Sequence, residues 1–160
     1  MNMEAVVDPW FVVYTKPRHE KKLSDYLNGM GVEAYCPIVT QMKQWSDRVK
    51  KVDVPLIPSY VFVRIEESKR NLVFHSPSAV NYLFWLGKPA VVRDKEIRTL
   101  KELIEGKAVK NFNVDAYQLG DKFEIKSGAF SGQTGVIKDV KNRNVTILLQ
   151  QLGIAVTLSF

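Results

Sequence analysis

The stretch WFVVYTKPRHEKKLSDYL, which runs from Trp10 to Leu27, joins an aromatic and β-branched run to apolar residues at helical spacing. The run WFVVYT is typical of a buried strand, because β-branched and aromatic side chains fit a pleated surface. Pro17 suits the first turn of a helix, and an apolar stripe follows at Leu23, Tyr26, Leu27 and Met30. The stretch therefore predicts a strand and then a helix that turns this stripe, Tyr26 included, toward the core. Gly31 supplies the left-handed stop.

Strand and helix patterns continue to alternate up to Gly106. VEAYCPIVTQ (32–41) is extended, a polar hairpin follows around Trp45, and YVFVRI (60–65) is a clear strand. A short helix is expected over 66–73, and Asp94 is a good N-cap for a helix that ends at Gly106. This order predicts an α+β sandwich of the ferredoxin-like kind, with helices on one face of an antiparallel sheet.

The segment Leu119–Phe160 has a different character, with short strand-like runs punctuated by glycines and no convincing helix. About forty residues bury only a thin core, for which a small β-barrel is the economical solution. KAVKNFNVDAYQ (107–118) shows no sustained period and is the linker candidate. The sequence thus predicts two domains, 8–106 and 119–160, joined by a linker over 107–118.

Composition restricts the classes of protein to which the chain can belong. Hydrophobic residues make up 46% and charged residues 25%, which is ordinary for a globular protein. No apolar run reaches the ~20 residues of a membrane span, and the N-terminus lacks the features of a secretory signal. The single cysteine, Cys36, excludes an internal disulfide framework, so we expect a cytoplasmic protein. The net charge of +6 permits a nucleic-acid contact without requiring one.

The segment GDKFEIKSGAFSGQTGVIKDV (120–140) is the most specific motif in the chain. Its first strand buries Phe123 and Ile125, and glycines then allow sharp turns and close backbone approach. A generic hairpin with a glycine-rich turn would show part of this pattern. The full pattern resembles a KOW motif, which implies an SH3-like barrel and is formed here by Gly120, Asp121, Gly128, Phe130, Gly132 and Gly135. KOW barrels also occur in ribosomal proteins, so the motif alone does not give a function.

Three segments of the predicted first domain resemble the N-terminal domain, called NGN, of NusG proteins. WFVVYTKPRHEKKLSDYL resembles its opening, PLIPSYVFVRI (55–65) the segment around its polymerase-binding pocket, and RDKEIRTLKELIEG (93–106) its last helix. With the KOW-like segment, the resemblance covers the chain from Trp10 to Phe160. It implies a transcription elongation and antitermination factor that is a monomer and carries no cofactor.

The resemblance also implies a partner for the first domain, the clamp helices of the largest RNA polymerase subunit. Binding there bridges the polymerase cleft and disfavours the paused state, which is a population shift rather than a reaction. The positions that match the pocket are Tyr14, Ile57, Tyr60, Phe62 and Phe84. Core and pocket roles are evenly balanced for Phe62. For Tyr60 the interface is favoured, because a hydroxyl suits a partly wet site.

Basic residues near the first helix form a second candidate site. They are Lys16, Arg18, Lys21 and Lys22. In RfaH-like members of the family, these positions meet the exposed non-template DNA strand, and nascent RNA is a further candidate ligand. The competing interpretation is a solvated helix face. Arg48, Lys50 and Lys51 are interpreted only as a charged hairpin.

Two departures from the family pattern bear on the type of factor. Ser59 stands where general NusG proteins usually have glycine, which favours an operon-specific paralog most like the UpxY antiterminators. Gln133 stands where many relatives have an aromatic residue that engages the ribosomal protein NusE or the terminator Rho. NusE is kept as a candidate partner of the barrel, and Rho is disfavoured. The β-branched runs over 136–140 and 145–147 argue against refolding into a helical hairpin.

Catalysis finds little support in the sequence. His19 and His75 have no carboxylate or cysteine at a ligand or triad spacing. GAFSG (128–132) lacks the Lys-Ser/Thr that completes a P-loop. We therefore expect neither an enzyme nor a metal site. The alternative to a polymerase-bound factor is an RNA- or ribosome-binding KOW protein without a polymerase contact.

Overall fold

The computed structural model of the protein describes residues 9–105, 109–116, 129–131, 136–139 and 143–160. The chain divides into two compact units. The first unit holds the described residues up to Cys36 together with Pro58–Asp94, and the second holds Pro37–Ile57 together with the described residues that follow Asp94. The domain boundaries at 106 and 119 that the sequence suggests stay a prediction.

The fold is mixed α+β and rich in strands. In chain order the elements are β1 (Trp10–Thr15), α1 (Glu20–Gly29), β2 (Glu33–Tyr35), β3 (Ile38–Gln44), β4 (Val49–Pro55), β5 (Tyr60–Arg64), a 3-10 helix (Glu67–His75), β6 (Ala79–Tyr82), β7 (Phe84–Trp85), β8 (Lys88–Pro89), β9 (Val91–Val92), α2 (Asp94–Ile104), β10 (Asn111–Ala116), β11 (Ala129–Ser131), β12 (Val136–Asp139), β13 (Asn144–Leu149), a second 3-10 helix (Gln150–Leu152) and β14 (Ile154–Ser159). The predicted strands at 10–15 and 60–65, the short helix after Ile65 and the helix from Asp94 are confirmed. No helix in the described ranges is long and apolar enough to cross a membrane.

The first unit is built on an antiparallel sheet in the order β2-β5-β1-β6, with β9 also paired to β1. The central strand β1 is buried along most of its length, as its aromatic and β-branched composition predicts. One face of this sheet carries Phe11 and Val13, which share a hydrophobic core with Leu23 and Leu27 of α1. The strand β1 and the helix α1 of the opening stretch therefore pack against each other in the core of the first unit.

The buried face of helix α1 differs from the predicted apolar stripe. Leu23 and Leu27 are buried, but Tyr26 is 45% exposed and Met30 is exposed beyond the last turn. The helix starts at Glu20 rather than at Pro17, and Glu20 and Ser24 are buried beside the two leucines. The buried arc is thus centred near Leu27, and successive 100° steps place Tyr26 outside it. Gly31 has a φ of 88°, which confirms the predicted left-handed stop.

The predicted polar hairpin around Trp45 is confirmed. Strands β3 and β4 pair antiparallel from Ile38↔Pro55 to Gln44↔Val49. The N–H of Trp45 donates a 2.8 Å hydrogen bond to the carbonyl of Arg48, which closes a tight two-residue turn. This hairpin forms a sheet of its own and pairs with no other strand in the described ranges.

A second antiparallel sheet has the order β10-β14-β13-β12-β11. Among the residues of this sheet whose burial is described, the buried ones lie in β13 and β14: Thr146, Ile147, Leu149, Ala155, Val156 and Leu158. The linker prediction is wrong over Asn111–Ala116, because these residues form β10 and pair with β14 along their whole length. The alternation in NFNVDA is the period-2 signal of a strand, short enough to be missed.

The KOW-like motif falls largely outside the described residues. Gly120, Asp121, Gly128, Gly132 and Gly135 lie there, so their predicted roles in the turns stay predictions. Phe130 lies in β11, opposite Ile137 of β12. The segments on either side of residues 132–135 thus pair as neighbouring antiparallel strands.

Candidate interaction site

The two faces of the first sheet differ in burial. Trp10, Val12 and Tyr14 alternate with the core residues of β1 and so point to the face opposite α1. Trp10 and Val12 are fully buried on that face, whereas Tyr14 is 39% exposed. The end of the sheet at Tyr14 is therefore open on this face, and it is the candidate site.

Tyr14 and Tyr60 form an aromatic pair at this open end, named here the tyrosine pair. The two residues are cross-strand neighbours in β1 and β5. Their ring centroids lie 5.7 Å apart, and the ring planes are inclined by 58°. Such tilted pairs are favourable, and a phenol combines an apolar ring with a hydroxyl that can stay hydrated. The tyrosine pair can therefore bury apolar area against a partner while its hydroxyls remain wet.

Phe62 and Ile57 are not part of this surface, which corrects two of the five predicted contact positions. Phe62 is 0% exposed, and its ring stacks on Tyr35 with the centroids 6.4 Å apart and 24° between the planes. Ile57 is also buried. Burial removes both side chains from direct contact with a partner, so they act as core residues.

The loop that leads into Tyr60 is fixed on both sides. The N–H of Ser59 donates to Oε1 of Glu20, and the carbonyl of Ser59 accepts from the N–H of Thr15, both at 2.8 Å. Ser59 has a φ of 68°, in the left-handed region that L residues rarely adopt. The local contacts evidently outweigh this strain. These two hydrogen bonds hold Tyr60, the first residue of β5, in one position.

Phe84 lies apart from the tyrosine pair, in the small β7–β8 hairpin. Its side chain is 58% exposed, and the turn that follows places Leu86 and Gly87 at positive φ. The N–H of Leu83 donates to the carbonyl of Val12 at 2.9 Å, which sets the hairpin beside the middle of β1. No ring contact in the described ranges joins Phe84 to either tyrosine.

The four predicted basic residues are all exposed. Two of them, Lys16 and Arg18, lie in the loop between β1 and α1, where Arg18 has a φ of 65°. The loop is tied down because the N–H of Lys16 donates to the carbonyl of Ser78 at 3.1 Å. Lys21 and Lys22 lie in the first turn of α1. The structure therefore gathers these cations at one end of the helix.

Two potentially reactive side chains of the first unit, His19 and Cys36, are partly buried. Nδ1 of His19 lies 2.9 Å from Oγ of Ser78, but Ser78 is buried and cannot meet a substrate. Burial raises the pKa of the Cys36 thiol to about 12, with Glu20 and Asp25 adding to the effect, so the thiol stays protonated and unreactive. No group of three metal-ligating side chains occurs in the described part of the chain.

Sequence reasoning did not identify Glu20 as a residue that positions the site. An acidic residue in the first turn of a helix normally suggests an interaction with the helix dipole. Nothing in the spacing shows that its carboxylate reaches a backbone N–H 39 residues away. The signal in the sequence that could have pointed to this contact is Ser59. A residue other than glycine needs support from its neighbours to hold the left-handed φ of 68° found there.

Comparison with known proteins gives consistent matches. The sequence profile of the family described as "Transcription termination factor nusG" matches residues 8–101. The "Transcription termination/antitermination protein NusG" of Streptococcus pyogenes serotype M1 is 26% identical, with 90% of this chain and 87% of that protein covered. The protein of the same name from Staphylococcus carnosus is 24% identical, with 96% and 92% covered. A solved structure titled "Domain interaction in Thermotoga maritima NusG" matches with a TM-score of 0.45 and 18% identity, over 94% of this chain and 92% of that one.

Proposed function

We propose, from the premise that this chain belongs to the NusG family of transcription termination/antitermination factors, that it binds RNA polymerase through the tyrosine pair and promotes elongation. The observation that carries the proposal is the open end of the first sheet. There two cross-strand tyrosines stay accessible while their neighbours on the same face, Val12 and Phe62, are fully buried.

The energetics favour aromatic anchors over surface charge. A buried aromatic residue at the centre of an interface typically contributes ~2–4 kcal/mol to binding, whereas an exposed ion pair contributes ~0–1 kcal/mol. The tyrosine pair is also held in place before binding, through the backbone contacts of Ser59 with Glu20 and Thr15. A rigid site loses less conformational entropy on association, so more of the contact energy appears as affinity.

The proposed partner surface is the clamp helices of the largest polymerase subunit. Phe84, exposed on its own hairpin, is a second contact in this proposal. A factor that bridges the cleft binds the closed, elongating state more tightly than the open, paused state. The ratio of the two affinities sets how far the polymerase population shifts.

The test is binding of purified variants to RNA polymerase. We expect Tyr14→Ala and Tyr60→Ala each to weaken binding by about 10-fold or more. Tyr26→Ala is the matched control, because Tyr26 is a tyrosine of similar exposure on α1 in the same unit. Circular dichroism and thermal unfolding establish that each variant is folded. Unchanged affinity in a folded Tyr14→Ala, Tyr60→Ala double variant would show that the tyrosine pair is not the contact.

The same titration separates the proposal from an RNA- or ribosome-binding function. Affinity that depends on ~6 phosphate contacts falls roughly 1,000-fold between 50 and 200 mM salt, whereas apolar burial is far less sensitive. We expect the complex with polymerase to survive elevated salt. Its complete loss there, together with salt-sensitive binding to RNA, would favour the alternative.

We further propose that the factor is specific to particular operons, through the basic loop and the first turn of α1. In this proposal the exposed cations there, Lys16 and Arg18 above all, contact the non-template DNA strand. Charge reversal at both positions should abolish the response to a recruiting DNA element and spare binding to polymerase. Lys95→Glu is the control, since Lys95 is an exposed cation on α2. An unaltered response in the double variant would remove this part of the proposal.

A further inference from the structure

The β3–β4 hairpin carries an unusual number of exposed side chains. Every residue from Met42 to Lys51 is exposed, and Trp45 keeps 54% of its surface in water. Solvent-exposed tryptophans are uncommon in a stable fold, because a large apolar ring gains more by burial. The hairpin therefore presents this ring without an evident structural reason.

The strand register sorts the hairpin side chains into two faces. Lys43 lies directly opposite Lys50, and Trp45 lies opposite Arg48 across the turn. Because alternate residues point the same way, these four side chains share one face. The other face carries Met42, Gln44, Val49 and Lys51 in its outer part. One face thus combines an exposed indole with three cations, and the other does not.

This arrangement opposes the stability of the hairpin. Like charges directly opposite each other on antiparallel strands are destabilising. No ion pair in the described part of the chain involves Lys43, Arg48 or Lys50. The nearby acids do not offset this charge from the same face. Asp47 lies in the turn, and Asp53 accepts a 2.6 Å hydrogen bond from Oγ1 of Thr40, its partner on the other face.

We infer that the face formed by Lys43, Trp45, Arg48 and Lys50 binds single-stranded nucleic acid. A base stacks on the indole of Trp45, and the neighbouring phosphates contact the three cations. An aromatic ring beside a basic groove is how proteins bind unpaired strands without sequence preference. Lys43 and Trp45 are separated by about 7 Å along the strand, so a base and an adjacent phosphate can be contacted together. A duplex offers its phosphates to the three cations but keeps its bases stacked on each other, so no base is available to stack on Trp45.

The experiment measures fluorescence anisotropy of labelled 12-nucleotide probes with the purified full-length chain. The probes are oligo(dT), oligo(U) and a DNA duplex, so that DNA, RNA and paired strands are compared. We expect the single strands to bind more tightly than the duplex, with dissociation constants within the ~1–100 µM range of non-specific binding. Trp45→Ala should weaken single-strand binding about 10-fold, and Trp45→Phe should retain most of it.

Adjacent lysines on opposite faces provide a matched control. Lys50→Gln should lower the slope of log affinity against log salt by about 0.7, the contribution of one phosphate contact to a single strand. Lys51→Gln removes the same charge from the other face and should leave the slope unchanged. Lys95→Gln, at an exposed cation of α2 that belongs to neither proposed nucleic-acid site, should bind the probes as the parent does.

Several outcomes would overturn the inference. Equal effects of Lys50→Gln and Lys51→Gln would show that binding to the probes depends only on the overall charge of the hairpin. Undiminished binding by Trp45→Ala, or equal affinity for the duplex, would exclude base stacking. Absence of binding to all probes at about 100 µM protein would leave the face to a protein partner. Because polymerase is not in the assay, none of these results depends on the proposed polymerase contact.

Discussion

The carboxylate of Glu20 and the backbone N–H of Ser59 are joined by a 2.8 Å hydrogen bond that ties the first turn of α1 to the start of β5. Glu20 is almost completely buried, so this bond gives a buried polar group one of its hydrogen-bond partners. Ser59 adopts a left-handed φ that glycine would accept without strain. The contact therefore positions the loop next to Tyr60 even though the residue at position 59 is not glycine.

Removal of the Glu20 carboxylate should destabilise the first unit. Glu20→Ala leaves the N–H of Ser59 without this acceptor, and we expect the free energy of unfolding to fall by about 1–3 kcal/mol in urea denaturation. Ser59→Gly keeps the N–H and relieves the strained φ, so it should be neutral or raise stability by up to about 1 kcal/mol. Glu67→Ala, at an exposed glutamate, is the control. A stable Glu20→Ala variant would show that the hydrogen bond is incidental.

Phe62 and Tyr14 should respond to truncation in opposite ways. Phe62 is fully buried against Tyr35, so Phe62→Ala leaves a cavity, and we expect a loss of about 3–5 kcal/mol. Tyr14→Ala removes a partly exposed ring and should cost about 1 kcal/mol or less. Thermal and urea unfolding of both variants measure the difference. Similar stability of the two variants would place Phe62 outside the core.

Much of the first unit could be predicted from periodicity alone. WFVVYT and YVFVRI have the composition of buried strands, and Leu23 and Leu27 have helical spacing. Strand alternation also placed Tyr60 and Phe62 on one face. It could not show that one is accessible and the other sealed, because burial on a shared face depends on what covers each end of the sheet.

The remaining errors have local physical causes. Apolar spacing predicts that Tyr26 lies in the core because it ignores buried polar residues, and Glu20 and Ser24 shift the buried arc of α1 away from Tyr26. Asn111–Ala116 resembles a linker in the sequence because the alternation extends over only six residues, and its pairing with β14 is a long-range contact. Long-range hydrogen bonds, such as that between Glu20 and Ser59, leave no pattern in the sequence.

Arg64 joins several side chains at the end of the first sheet that lies opposite the tyrosine pair. Its guanidinium lies over the ring of Trp10, 5.2 Å from the centroid, and contacts Glu33 at 2.7 Å and Asp94 at 3.0 Å. Nε1 of Trp10 also donates to Asp94 at 3.1 Å. Lysine cannot reproduce a planar group that stacks and donates in two directions. We expect Arg64→Lys to lower the free energy of unfolding by about 1–2 kcal/mol.

The exposed ion pair of Lys69 with Glu66 is the comparison for Arg64. Lys69→Ala should change stability by less than about 0.5 kcal/mol, because surface pairs contribute little. Both variants are measured by urea denaturation at low and high salt. If Arg64→Lys is as mild as Lys69→Ala, the cluster around Arg64 is not a determinant of stability.

Two groups of the first unit predict a loss of stability at alkaline pH. Burial raises the pKa of Cys36 from 9.0 to about 12 and that of Tyr82 from 10.0 to about 12, with the charge of Arg70 partly opposing the effect at Tyr82. Above pH 9 the unfolded chain therefore loses protons that the folded chain retains. Because the unfolded state then binds fewer protons, the free energy of unfolding falls as the pH rises from 9 toward 12. Urea denaturation across this range should show that Cys36→Ala weakens the dependence first, between pH 9 and 10, and that Tyr82→Phe weakens it only above pH 10. A Cys36→Ala variant that loses stability as steeply as the parent from pH 9 would mean that the thiol ionises alike in both states.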